Sequence, residues 1–302
     1  MNSVFKAAVI GDPIDHSWSP FIFSFLSQRL AHPIFYQRLK ISGEDWEKQQ
    51  GLYSELQTLQ GWNVTLPLKK KVLARLDSLS EEAEVIGAVN VVHRLPDFCL
   101  KGYNTDVLGV IHTLSERKIQ VQGQVAVLFG AGGAARAAAY ALGKMKAKEV
   151  RVLNRTHAHA QALLKPLQRV FPDTTFLNIS KEGEEGDEIQ FMGEPSQRRH
   201  LISDPVSLYI NATPIGMKGY PQYFDLCQEM NPQAFAFDLV YSAEITPFLA
   251  QAQAQGLSFV GGLDMLVWQA LATWEIWIGP LEQSAHLKVD LMQHLQNNLR
   301  LS

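Results

Sequence analysis

Residues 125–142 read VAVLFGAGGAARAAAYAL, and this stretch decides the fold. Val125–Phe129 is an unbroken apolar run, the pattern of a strand buried on both faces. Gly130-Ala131-Gly132-Gly133-Ala134-Ala135 follows at once and satisfies the spacing G-x-G-x-x-G/A, with Ala135 in the last place. A helix-forming, alanine-rich segment comes next. Glycine permits the tight turn and lets backbone N–H groups approach a pyrophosphate, whose charge the helix N-terminus stabilises. The order strand, glycine turn, helix therefore predicts a dinucleotide site in an α/β layer.

Glu149–Leu153 is the next strand, ending at Asn154-Arg155-Thr156. An NAD site usually offers an acid there to the ribose 2′-OH. An arginine can instead meet the 2′-phosphate of NADP, which a carboxylate would repel. NADP is the favoured cofactor, with NAD as the alternative should Arg155 only decorate a solvated strand end.

Working outward, Val4–Ile10, Ile34–Leu39, Gly61–Val64 and Ala88–Val92 read as strands, with a helix from Ser19-Pro20 through Leu30. The alternation predicts a mainly parallel sheet in this half also. Val107–Ser115 reads as a linking helix. Leu208–Ile210, Phe235–Leu239 and Ser258–Val260 read as later strands, and Thr246–Gln255 as a helix. Ser180–Arg199, with its charges, glycines and prolines, reads as a long surface loop. The tail from Leu263 to Asn298 is helical, and its Trp268, Trp274 and Trp277 read as core. The expected division is 1–106, 107–262 and 263–302.

A chain of 302 residues predicts two domains around one cleft, and 46% hydrophobic with 19% charged residues supplies ample core. A formal charge of −3 gives no broad basic field, so no nucleic-acid partner is expected. Cys99 and Cys227 lack paired spacing, which predicts free thiols in a reducing compartment. The start MNSVFKAAVIGDP turns polar too soon for a signal-peptide core. Nowhere do about 20 residues run without charge or dense polar interruption, so no membrane span is expected. A cytoplasmic location follows. His157 and His159 are close, but without HExxH or CxxC no metal site is expected.

Five segments set small polar residues inside apolar or glycine-bounded runs: residues 11–20 (GDPIDHSWSP), 63–69 (NVTLPLK), 87–90 (GAVN), 102–106 (GYNTD) and 211–214 (NATP). Several end predicted strands, the edge where open α/β sheets bind ligands. Each has a plain alternative: Ser19 and Asp106 as helix caps, the asparagines as turn residues, Lys69 as part of a solvated lysine run. Together they offer hydroxyl, amide, ammonium and carboxylate groups, a set suited to a polyhydroxylated acid.

In order along the chain, SxSP, NVTxPxK, IGAVN, GxNTD, GAGGAxRA, NRT, NATPxGM, DxVY and GGLxMLxxQA resemble the shikimate dehydrogenase family over nearly the whole chain. The resemblance implies an N-terminal α/β substrate domain, a Rossmann NADP-binding domain, and C-terminal helices that return to the first domain. It implies reversible, NADP-dependent reduction of 3-dehydroshikimate to shikimate, a step of chorismate and aromatic amino-acid biosynthesis, by a monomer or homodimer. Carried over, it puts Ser17 and Ser19 on the substrate carboxylate, and Asn63, Thr65, Asn90 and Gln269 on the ring hydroxyls. Tyr241 lines the cleft from the far side, and Lys69 with Asp106 forms the catalytic pair. Gly130, Ala131, Gly132, Gly133, Ala134 and Arg136 hold the pyrophosphate, and Asn154, Arg155 and Thr156 the adenosine phosphate. Thr213, Met217 and Gly262 lie on the nicotinamide side.

The chain departs from the family pattern in four places. Phe23-Ser24 replaces His-Asn after SxSP, Val91 replaces threonine after IGAVN, and Ala243 replaces the proline after DxVY. After NRT, where a second basic residue is common, stand His157, Ala158 and His159. If His159 substitutes, the NADP preference becomes pH-sensitive. The rival readings are a quinate/shikimate dehydrogenase using NAD, a methylene-tetrahydrofolate dehydrogenase, and a silent NADP-binding regulatory homologue. SxSP and the Gln269 segment speak against the second, and the presence of Lys69 and Asp106 against the third.

Overall fold

The computed structural model describes residues 4–48, 53–180, 206–221, 230–242 and 244–299. The chain divides into two compact units, one of Met1–Thr105 with Val267–Ser302, the other of Asp106–Leu266.

The first unit holds strands β1 (Phe5–Gly11), β2 (Ile34–Lys40), β3 (Gly61–Val64), β4 (Ser78–Leu79), β5 (Val91–Arg94) and β6 (Leu100–Tyr103). They form one sheet in the order β2-β1-β3-β5-β6-β4. The apolar run Ala7–Ile10 of β1 fits its inner place, with Ala7, Ala8 and Ile10 fully buried. β1 pairs in parallel with both β2 and β3. The sheet is mainly parallel, as expected, with β4 also parallel to β6; the exception is β5, which runs antiparallel to both β3 and β6. Between β5 and β6 the cause is a tight reversal at Leu95–Cys99, where Phe98 takes φ 68° and the Leu95 N–H bonds the Cys99 carbonyl at 2.9 Å. A chain that turns back within five residues can only pair antiparallel. The expected strand Ala88–Val92 is also shifted. It begins at Val91, because the Asn90 N–H and carbonyl pair with Tyr103 and Val64 as a junction between strands.

Helix α1 (Ser19–Arg29) opens with Pro20 in its first turn, where a missing N–H costs nothing. Short helices α2 (Gly43–Lys48), α3 (Ser54–Gln57) and α4 (Glu81–Ile86) follow. α4 stops at Gly87, whose left-handed φ of 64° a side chain would resist.

In the second unit, helix α5 (Asp106–Glu116) precedes six strands: β7 (Val125–Phe129), β8 (Glu149–Leu153), β9 (Thr175–Asn178), β10 (Val206–Asn211), β11 (Phe235–Asp238) and β12 (Ser258–Val260). All pair in parallel, in the order β12-β11-β10-β7-β8-β9. This is the doubly wound order of dinucleotide-binding sheets, with β7 and β10 flanking the point where the winding reverses. Helices α6 (Gly133–Lys144), α7 (His157–Val170) and α8 (Pro247–Ala254) complete the layers. Phe129, Tyr209 and Phe248 anchor the core, each worth roughly 1.5–3 kcal/mol when buried. Most of the Ser180–Arg199 segment and Cys227 lie outside the described residues; Cys99 is a free thiol.

The helical tail is two helices, α9 (Leu263–Trp277) and α10 (Ser284–Leu299), with Gly279-Pro280 between them. From Val267 onward the tail belongs to the first unit. Trp277 stacks on Phe5 at 5.6 Å and lies against Phe23 at 5.2 Å, and its indole N–H donates to the Val92 carbonyl at 3.1 Å. Gly61 makes room for it, since a Cβ there would fall 2.5 Å from the indole nitrogen. Among the described residues no helix is long and apolar enough to cross a membrane. Trp277→Ala is expected to lower stability by about 3–5 kcal/mol, read as an earlier urea midpoint. An unchanged midpoint would contradict this packing role.

Candidate active site

In the first unit the polar segments converge through backbone pairing. β3 ends at Asn63-Val64, and the Val64 N–H donates to the Asn90 carbonyl at 2.8 Å. The Thr65 N–H donates to Ile10 at 2.9 Å, and the Lys69 carbonyl accepts from Val89 at 2.8 Å, so the NVTxPxK segment runs beside GAVN. Asn63 and Asn90 are both buried. Asn90 is locked by Thr105, whose N–H donates to Asn90 Oδ1 at 2.8 Å while Asn90 Nδ2 donates to the Thr105 hydroxyl at 3.0 Å. Asn104 Nδ2 donates to the Ala88 carbonyl at 2.8 Å.

Two further elements hold the rim of this cluster. The Ser17 and Ser19 hydroxyls lie 3.3 Å apart, and Arg38 Nη2 donates to the Ser17 carbonyl at 2.7 Å. Ser19 is the first residue of α1, not its cap; Trp18 holds that place without a side-chain bond, which leaves the serine hydroxyl for other work. On α9 the Thr273 hydroxyl donates to the Gln269 carbonyl at 2.8 Å and contacts the Thr105 hydroxyl at 3.3 Å. The helix bearing buried Gln269 is thereby tied to the Asn90–Thr105 pair. Asp106, buried, opens α5 and is the first residue of the second unit.

In the second unit the glycine turn follows β7 and opens α6. Gly130 takes φ 104°, and a Cβ on it would sit 2.9 Å from the Ala212 carbonyl oxygen, so only glycine lets the two loops touch. Around Gly132 a Cβ would meet nothing within 4 Å, and α6 has no side-chain cap. An uncapped helix start beside open space has the donors and the room for a phosphate group. Arg136, half-buried in the next turn, has its pKa lowered by burial. After β8, Asn154 Nδ2 donates to the Thr156 carbonyl at 2.9 Å and Thr156 precedes α7. Arg155 and His159 are exposed beside that helix start.

The Asn211–Met217 loop after β10 is organised by a side chain that the sequence motifs contain but do not single out. Asn211 Oδ1 accepts from the Thr213 N–H and hydroxyl at 3.0 and 2.7 Å, and Asn211 Nδ2 donates to Asp238 Oδ1 at 2.9 Å. The same oxygen accepts from the Val240 N–H at 2.9 Å, and Asp238 Oδ2 accepts from the Thr246 hydroxyl that caps α8. Val240 in turn accepts from the Gly262 N–H at 3.1 Å. Gly262 is obligatory there, because a Cβ would strike the Leu239 carbonyl at 2.4 Å. Tyr241 follows, half-buried. Thr105, Thr273 and Asp238 are thus site-building residues absent from the candidate set. Thr105 and Asp238 sit inside GxNTD and DxVY, where they could have been noticed; Thr273 carries no motif signal.

A doubly wound parallel sheet with a glycine turn at its winding reversal, joined to a second α/β unit rich in buried amides, defines a dinucleotide-binding enzyme of two α/β units. Comparison with known proteins sharpens this. Residues 9–92 match the shikimate dehydrogenase substrate-binding domain, and residues 113–189 the shikimate/quinate 5-dehydrogenase domain. The NADP(+) shikimate dehydrogenase of Magnetococcus marinus is 34% identical over 95% of this chain and 93% of its own. A shikimate 5-dehydrogenase from Thermus thermophilus, crystallised with NADP(H) and shikimate, is 30% identical with a TM-score of 0.74, covering 96% of this chain and 99% of its own. One from Listeria monocytogenes, in complex with shikimate and NAD, is 27% identical with a TM-score of 0.78, covering 95% and 96%. The chain belongs to the shikimate dehydrogenase family. Among the described residues no group of three or more His, Cys, Asp or Glu side chains could hold a metal.

Burial pushes the Asp238 carboxyl up to about 6 from 3.8, against opposing hydrogen bonds from Thr246, Val240 and Asn211. A raised folded-state pKa means that the folded protein keeps a proton the unfolded chain releases. The stabilisation is present at low pH and is lost as pH rises through about 6. Relative to the unaltered protein, Asp238→Asn is expected to gain about 2–3 kcal/mol of unfolding free energy between about pH 4 and pH 7.5. Parallel pH curves for the two proteins would contradict the assignment.

Proposed function

We propose that the protein is an NADP-dependent shikimate dehydrogenase, interconverting 3-dehydroshikimate and shikimate, with the first unit binding the substrate and the second the cofactor. One observation carries the reading: the Gly130–Gly133 turn stands at the winding reversal of a 6-5-4-1-2-3 parallel sheet, in a chain of this family. A pyrophosphate suits the open space at Gly132 and the uncapped start of α6, with Arg136 nearby. Asn154, Arg155 and Thr156 take the adenosine end. Arg155 in place of an acid favours the 2′-phosphate and hence NADP over NAD. Thr213, Met217 and Gly262 border the nicotinamide.

Bound NADPH supplies hydride to the substrate carbonyl carbon; every other requirement falls on the protein. Ser17 and Ser19 hydroxyls bind the carboxylate, Asn63, Thr65, Asn90 and Gln269 fix the ring hydroxyls, and Tyr241 is a further substrate-binding residue. Negative charge grows on the carbonyl oxygen as it becomes a hydroxyl. Lys69 donates to that oxygen, and Asp106 holds the ammonium in place. In the oxidative direction the hydroxyl proton leaves by the same route. The protein works in the cytoplasm, as a monomer or homodimer, without nucleic-acid or membrane partners.

Lys69→Ala and Asp106→Ala are each expected to lose about 100-fold or more in turnover of shikimate with NADP+, followed by NADPH absorbance, while the far-ultraviolet dichroism is unchanged. Near-unaltered turnover in both would overturn the catalytic assignment. Arg155→Ala is expected to raise KM for NADP+ about tenfold and to leave that for NAD+ nearly unchanged. Equal effects on the two cofactors would remove Arg155 from the 2′-phosphate.

A further inference from the structure

Tyr36, on β2, lies outside every motif, yet it joins two parts of the polar cluster. Its hydroxyl stands 2.7 Å from Asn63 Oδ1, and its ring stacks flat on Phe23, centroids 4.7 Å apart and planes 7° from parallel. The direction of the bond follows from what surrounds the amide. The other amide atom of Asn63 faces the Asn90 carbonyl, an acceptor, at 3.4 Å, so that atom is Nδ2. Oδ1 therefore faces the phenol, and the phenol must be the donor. Burial pushes the Tyr36 hydroxyl well above its ordinary value, opposed in part by a hydrogen bond with Ser19 and by the charge of Arg38, so the donor proton is always present.

Nδ2 carries two hydrogens, and the Asn90 carbonyl accepts at most one. With Oδ1 capped, a flipped Asn63 would aim its NH2 at the phenol and its oxygen at the Asn90 carbonyl, pairing two acceptors. We propose that Tyr36 is a positioning residue for substrate recognition: its phenol caps Asn63 Oδ1 and fixes the amide so that Asn63 presents an N–H donor to a ring hydroxyl. The inference rests on the reading of Asn63 as a substrate-binding residue. Tyr36 also borders Ser19, so one phenol sets the spacing between the hydroxyl meant for the carboxylate and the amide meant for the ring. Its flat stack on Phe23, itself packed against Trp277, fixes the ring without spending the hydroxyl.

The test is a double-mutant cycle on the full-length enzyme with shikimate and NADP+. Tyr36→Phe keeps the stack and removes only the hydroxyl. It is expected to raise KM for shikimate about tenfold, while kcat and KM for NADP+ stay near those of the unaltered enzyme and the melting temperature falls by only about a few degrees. In an Asn63→Ala background the same change should alter KM for shikimate by less than about twofold, since the phenol then has no amide to hold. If Asn63→Ala raises KM but Tyr36→Phe does not, the inference falls and the role of Asn63 stands. If neither variant changes KM, both fall. Equal effects of Tyr36→Phe in the two backgrounds would also overturn it, because the phenol would be acting through something other than Asn63.

Discussion

The parallel register of β7 with β10, which sets Phe129 beside Asn211, is the constraint on which the nucleotide half depends. It ends both strands at the same level and brings the Gly130 turn against the Ala212 carbonyl. Any side chain at Gly130 would push the two loops apart, and the positive φ there would be strained as well. From that contact the order spreads outward. Asn211 ties the second loop to Asp238, Asp238 ties in Val240 and Thr246, and Val240 receives Gly262. A buried carboxylate is costly to keep, and this one is offset by three donors from three chain segments. Its position at the centre of the loops explains why an acid stands at the end of an otherwise apolar strand.

The substrate half uses a different device. There the strands β3 and β5 run antiparallel, and their shared junction at Asn90 places amide side chains among buried apolar neighbours. Each amide is held by named partners: Asn90 by Thr105, Asn104 by Ala88, Asn63 by Tyr36. A buried amide whose hydrogen bonds are partly fixed has a defined face left for a ligand, which is how small polar residues become selective. The C-terminal helices add to the same unit through the Thr273–Thr105 contact and the Trp277 indole on Val92.

Much of this was legible in the chain. GAGGAA after VAVLF specified strand, turn and helix because glycine spacing and apolar run point the same way, and the structure has them at Val125–Phe129 and Gly133–Lys144. The β5–β6 hairpin is not evident from the apolar pattern, although Pro96-Asp97 is a turn signal. Among site-building residues, Asp238 and Thr105 were within motifs but overshadowed by neighbours with more obvious chemistry. Tyr36 could not have been found from spacing, since its role comes from β2 pairing with β1, which in turn pairs with the strand that carries Asn63.

The pairing of shikimate with NADP+ is tested by initial rates measured across all four combinations of shikimate or quinate with NADP+ or NAD+. The expected kcat/KM is highest for shikimate with NADP+, and exchanging either component lowers it about tenfold or more. A kcat/KM for quinate with NAD+ equal to or above that of shikimate with NADP+ would contradict it.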